Sequence, residues 1–190
     1  MSGKASLGQE DWIIAGLAAL AEGGVDAVRV ERLAKRLGAS KGSFYWHFAD
    51  RPALLEAMLA FWEREGTTAL IDQVAAVADP AERLRRIARE ALELLTRGVD
   101  VARSETAMRG WAAQDPEVGR RFARVEAQRL DHLVRELQAL GYQAEPARRL
   151  AKGLYLALIG LYSVRPYAPD LADSEAFLDL VERVIAGAPR

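Results

Sequence analysis

Apolar residues recur at spacings of three and four along nearly the whole chain, the period of an amphipathic helix. Trp12, Ile13, Leu17 and Leu20 form one such stripe, and Leu54, Leu55, Met58, Phe61 and Trp62 form another. No segment alternates as a strand should. Breaks fall at Gly23-Gly24, Gly38, Asp50-Arg51-Pro52, Ala78-Asp79-Pro80, Gly98, Asp115-Pro116, Gly141, Pro146, Pro166 to Pro169, and Asp173. They leave about nine helices. The expected spans are about Gln9 to Glu22, Val30 to Leu37, Lys41 to Phe48, Pro52 to Val77 and Pro80 to Thr96. A short helix with Met108 and Trp111 follows, then Pro116 to Leu140, Pro146 to Tyr162, and Ser174 to Ala186. The fold class is therefore all-α. The break before Pro52 divides it into an N-terminal three-helix module over 1–50 and a larger helical body over 51–190.

Composition narrows the function. There are no cysteines, which excludes disulfides, thiolate metal sites and a cysteine nucleophile. No apolar run reaches the roughly 18 residues a membrane span needs, and the N-terminus lacks a secretory pattern. A cytoplasmic protein with no membrane partner is expected. The net charge is −1, yet Arg32, Lys35, Arg36, Lys41 and Arg51 face only Glu31 and Asp50 between positions 31 and 51. Such a local patch is either a solvated helix face or an electrostatic footprint for nucleic acid.

The stretch from Val28 to Phe48 decides between them. Two short helices meet at a tight turn opened by Gly38, the layout of a helix-turn-helix. Leu33, Ala34 and Leu37 can pack against Phe44 and Phe48. Ser40 is a good N-cap, and Lys41, Gly42 and Ser43 keep the next turn small and polar. Those residues can approach base edges or phosphates, and Tyr45 and His47 add donors beyond them.

Leu33-Ala34, Gly38-Ala39-Ser40-Lys41-Gly42-Ser43-Phe44-Tyr45, His47-Phe48 and Leu54 together resemble the signature of the TetR/AcrR family of bacterial regulators. The resemblance implies DNA binding by this module, with Tyr45, His47 and Arg51 on phosphates and Ser40, Lys41, Gly42 and Ser43 toward the groove. Trp46 lies at a variable position, suited to a sugar, a thymine methyl or the module's own surface. Arg29 stands where the family has Thr or Ser. It lacks a capping oxygen but could contact the DNA backbone. Arg51 replaces a usual Lys, and Gly16 a usual Ala, which should loosen the first helix.

By the same resemblance, the body binds a small-molecule effector and dimerises, and a ligand releases a repressor from a palindromic double-stranded operator. No cofactor or metal is expected. Met58, Phe61, Trp62, Leu92, Leu95, Met108, Trp111, Phe122 and Tyr155 are bulky enough to line a pocket, and suit a hydrophobic or aromatic ligand. They serve equally as ordinary core. Glu105, Arg109 and Arg129 could orient a polar end but read as surface charges. Gly153, Ala157 and Gly160 form a small-residue stripe, and Phe177, Val181 and Val184 lie on the last helix; together they are the candidate homodimer interface. Two rival readings remain. His132 with Asp131 and Glu136 could suggest a metalloenzyme, but this histidine reads as a surface residue without a supporting cluster. A helical interaction protein with a module that does not bind DNA is the other.

Overall fold

The structure is a computed structural model describing residues 7–93, 95–96 and 99–189. Helix α1 covers Gln9–Gly23, and the Asp11 carboxylate accepts from the Gly8 N–H (2.7 Å) at its start. A single 3₁₀ turn, Val25–Ala27, leads to α2, Val30–Leu37, and α3, Lys41–Tyr45. Helix α4, Arg51–Glu63, starts where Asp50 accepts from the Ala53 N–H (2.8 Å), with Pro52 in its first turn. It continues through a π-helical segment, Arg64–Thr68, into α5, Ala69–Ala75. The body adds α6, Pro80–Glu93; α7, Val101–Gln114; α8, Pro116–Ala139; α9, Ala144–Val164; and α10, Ser174–Ala186. Asp115 and Asp173 cap α8 and α10.

The all-α class stands, with three local corrections. Helix α3 stops at Tyr45, short of Phe48, because the chain turns there and the Phe44 carbonyl accepts from both the His47 and Phe48 N–H groups. The helix expected to reach Thr96 ends at Glu93. Leu95–Thr96 and Val99–Asp100 instead form a two-residue antiparallel pair, β1 and β2. The segment with Met108 and Trp111 is a full helix of 14 residues. Among the described residues, no helix is long and apolar enough to cross a membrane.

Two apolar cores hold the chain. One runs from Trp12, Leu20, Leu33 and Phe44 through Leu54, Met58 and Trp62 to Met108, Phe122 and Val125. It therefore joins the N-terminal helices directly to α7 and α8. Gly16 explains itself here. A Cβ at that position would lie 2.6 Å from the Met58 sulfur, so the missing methyl admits α4 against α1. The second core gathers Leu84, Leu137, Ala151, Leu154, Leu161, Phe177, Val181 and Val184 from α6, α8, α9 and α10.

Candidate DNA-recognition surface and body cavity

The turn between α2 and α3 depends on Gly38, whose φ of 61° and ψ of 31° are left-handed. The Ala39 N–H donates to the Ala34 carbonyl (2.9 Å), closing the end of α2. A side chain in this conformation costs about 1–2 kcal/mol. Gly38→Ala is expected to lower the unfolding free energy by about that amount, read from urea midpoints.

Helix α3 divides its residues cleanly. Phe44 is fully buried, edge-on to Trp12 (5.3 Å between centroids) and stacked on Phe48 (5.5 Å). Ser40, Lys41 and Gly42 are exposed, Ser43 and His47 half-buried. Ser40 Oγ accepts from the Ser43 N–H (3.2 Å). Tyr45 is 59% exposed and Trp46 88%, an unusual position for two large aromatics unless they meet something.

The surrounding charges are tethered. Arg32 and Arg36 both donate to Glu22 (3.1 and 2.7 Å), and Lys41 donates to Glu31 (2.6 Å). The hydrogen bond from Arg36 is the main influence holding the Glu22 carboxyl below the usual range, and the bond from Lys41 does the same for Glu31. All these pairs lie in solvent, where an ion pair is weak and screened by salt. Arg29 turns back, its Nε donating to the Asp26 carbonyl (2.9 Å). Arg51 is half-buried and donates to the Val28 and Val25 carbonyls, 2.6 Å each. It positions the 25–28 loop, so the contact with phosphate expected of it competes with a role already filled.

The body carries a polar cluster that its sequence conceals. Glu105 on α7 is 2% exposed. It accepts from Arg129 Nη1 (2.7 Å), Arg109 Nη2 (2.8 Å) and Trp62 Nε1 (3.3 Å). Arg129 also donates to Thr67 Oγ1 (2.8 Å) and the Gly66 carbonyl (3.1 Å), both in the π-helical segment. The Arg129 guanidinium lies over Trp62 (5.1 Å), Trp62 stacks on Phe122 (4.4 Å), and Arg109 lies over Phe122 (5.2 Å). Burial pushes the Glu105 carboxyl up, but Arg129 and Arg109 outweigh it and hold it below the usual range. Arg121 adds a second tie between α8 and α4, donating to Glu63 (2.6 and 2.8 Å) and to Glu56.

Above this cluster sits a cavity of about 70 Å³. Leu70, Ile71, Ile87, Leu133, Leu158 and Ile159 make most of its wall, with Glu105, Arg129, Tyr155 and His132 at its polar places. A smaller apolar chamber of about 40 Å³ adjoins it, shares Ile87, Leu133, Tyr155 and Leu158, and reaches Phe177 and Val181 on α10.

The chain is similar to known proteins in sequence and in fold. The profile for bacterial regulatory proteins of the tetR family matches residues 13–58. An HTH-type transcriptional repressor of Mycobacterium tuberculosis is 32% identical over 178 residues, covering 87% of this chain and 86% of that one. The chain belongs to the TetR family. Its members are transcriptional regulators. A transcriptional regulator from Saccharomonospora viridis, solved in complex with choline, shares the fold at a TM-score of 0.78 and 16% identity, covering 94% of this chain and 95% of that one. A Rhodococcus regulator does so at 0.76 and 22%, covering 96% of each.

Ser40 to Ser43, Tyr45, Trp46 and His47 share the outer surface of the helix-turn-helix. Of the nine pocket candidates, Tyr155 lines the cavity. Met58, Phe61, Trp62, Met108 and Phe122 are core, with Trp111 packed beside them, and Leu92 packs on the second core. The side chain of Leu95 lies outside the described residues. Glu105, Arg109 and Arg129 are not surface charges, because each finds a partner on another helix. His132 is no surface histidine either, its side chain being only 11% exposed. Phe177, Val181 and Val184 are buried in their own subunit's core, whereas Gly153 and Gly160 are exposed and a Cβ on either would meet nothing within 4 Å.

Proposed function

We propose that this TetR-family regulator is a dimeric repressor that leaves its operator when a small hydrophobic molecule enters the body cavity. The observation that carries the DNA half is the split within α3. Phe44 anchors the helix in the core while Lys41, Tyr45 and Trp46 stand in solvent. Fluorescence anisotropy on duplex DNA from the gene's own upstream region tests it. Binding should weaken steeply between low and moderate salt, because phosphate contacts release counterions. No saturable binding to that DNA at low salt would sink the repressor reading.

The dimer half rests on the bare face of α9 and α10. Gly153, Leu156 and Gly160 on α9 and Leu180 on α10 are exposed. Pairing this face about a two-fold axis would set two recognition helices about 34–36 Å apart, one turn of DNA. Leu156→Glu is expected to shift sedimentation from dimer toward monomer and to weaken operator binding at least tenfold. Unchanged sedimentation would place the interface elsewhere.

Release is a matter of linkage, since the ligand must bind one geometry of the dimer better than the other. The lever is α4 with its π-helical extension, which carries Trp62 against the Glu105 cluster and Gly66 and Thr67 against Arg129. The choline bound by the Saccharomonospora viridis regulator is a poor match for this cavity. At the polar end of this cavity Arg129 stands beside Glu105, whose carboxylate is already taken by Arg129, Arg109 and Trp62 and leaves no counter-charge for a quaternary ammonium.

A further inference from the structure

We infer that the effector is an uncharged molecule with one carbonyl-type oxygen and a hydrocarbon tail, the oxygen accepting from Tyr155 and the tail running toward α10. The inference rests on the body cavity being the effector site. It concerns what that site can recognise.

Charge comes first. Arg109 and Arg129 are balanced by Glu105 and Glu126, the latter accepting from Arg109 Nη2 (3.3 Å). Arg129 is fully engaged, its three nitrogens meeting Thr67, Glu105, Tyr155 and the Gly66 carbonyl. Arg109 Nε and Nη1 are buried without an acceptor, and the electron-rich face of Phe122 is what compensates them. Arg129 lines the cavity but its nitrogens are already taken, so an anion entering it finds no free guanidinium to claim. It would have to displace Glu105 inside a nearly apolar wall, at a large desolvation cost. A cation would meet Arg129 in the wall and find Glu105 already taken by Arg129, Arg109 and Trp62.

Hydrogen bonding then singles out two groups. Tyr155 Oη accepts from both Arg109 and Arg129 (3.4 Å each), which leaves its O–H to donate. His132 Nε2 is buried without a partner, 3.9 Å from Glu136. Burial holds this imidazole below its usual range despite Glu136, so it is neutral near pH 7. Both side chains line the cavity. A single neutral oxygen satisfies Tyr155, with His132 beside it.

Size supplies the tail. A cavity of roughly 150 Å³ holds benzene, and neither chamber here approaches that at about 70 and 40 Å³. The two are contiguous at Tyr155, Leu158 and Ile87. A ligand must join them, which moves the Tyr155 partition and brings the tail onto Phe177 and Val181. The same movement strains the bonds from Tyr155 to the arginine that grips Gly66 and Thr67.

The test uses the full-length protein near neutral pH, with thermal shift and tryptophan fluorescence as readouts. The probes are methyl hexyl ketone, octanoate, hexyltrimethylammonium and octane. The ketone is expected to bind saturably, at least tenfold tighter than the other three. Tyr155→Phe, which keeps the ring, should weaken the ketone roughly threefold to tenfold, the worth of one hydrogen bond. Ala88→Leu, which fills the second chamber, should weaken it further for the long ketone than for acetone. No saturable ketone binding, equal or tighter binding of a charged probe, or a Tyr155→Phe variant with unchanged ketone affinity would each overturn the inference. Operator binding is measured on the same preparation without probe. Its loss there sinks the repressor reading alone, and its persistence beside a ketone that fails to bind sinks this inference alone.

Discussion

Replacing Glu105 by glutamine is expected to cost about 3–5 kcal/mol of unfolding free energy, the usual penalty for leaving a buried charge without its partner. That is a large part of the roughly 5–15 kcal/mol a domain possesses. The reason is geometric. Among the described residues Glu105 is the one acid shared by Arg109 and Arg129, and it also accepts from Trp62. Arg129→Met should cost less, because Glu105 keeps Arg109. The double variant Glu105→Leu with Arg129→Met should recover part of the single loss, since an apolar pair of similar volume needs no desolvation. Urea midpoints at one fixed protein concentration decide, given that dimerisation shifts apparent stability.

The same residue sets an acid limit. Its folded carboxyl is held low, while in the unfolded chain it titrates at about 4.3. The stabilisation is therefore complete above the unfolded value and is lost as pH falls through the folded one. Urea midpoints of the parent protein should fall on acidification below about pH 4.5, and those of Glu105→Gln should fall less. Parallel curves for the two proteins would mean that Glu105 does not carry the acid limit.

What the sequence disclosed, and what it hid, follows the range of the interactions. The helix-turn-helix was legible because its determinants are local: Leu33 and Ala34 meet Phe44 and Phe48 within 15 residues, and Gly38 marks the turn by itself. Helix α10, expected over Ser174 to Ala186, has those bounds because Asp173 and the glycine after Ala186 fix them. The Glu105 cluster was illegible because Arg129 lies 24 residues away and Trp62 43. An isolated glutamate on a helix reads as solvent-facing until its partners are known. The wide apolar stripe of α10 was ambiguous for the same reason. Phe177, Val181 and Val184 could serve a partner subunit or their own, and only the packing of α6 and α9 shows that they serve their own. Gly153 and Gly160 are exposed, and nothing within the subunit needs them to be small.

Phe44→Ala and Trp46→Ala should separate folding from recognition within two positions of one another. Phe44 is fully buried between Trp12 and Phe48, and its truncation should cost about 3–5 kcal/mol through lost burial and the cavity left behind. Operator binding would then fall because α3 loses its seat. Trp46 is 88% exposed, so its truncation should change the urea midpoint by less than about 0.5 kcal/mol equivalent. Its effect belongs at the DNA, roughly tenfold in affinity for a good apolar contact with a thymine methyl or sugar, about 1–3 kcal/mol of discrimination at most. The salt dependence should not change, because tryptophan neutralises no phosphate. Lys41→Ala supplies the contrast, since it should reduce the salt slope by about one at unchanged stability, its partner Glu31 being solvated already. If Trp46→Ala alters the urea midpoint but not the operator isotherm, the exposed ring belongs to the module's own surface, and the specificity of α3 must be sought in Ser40 to Ser43.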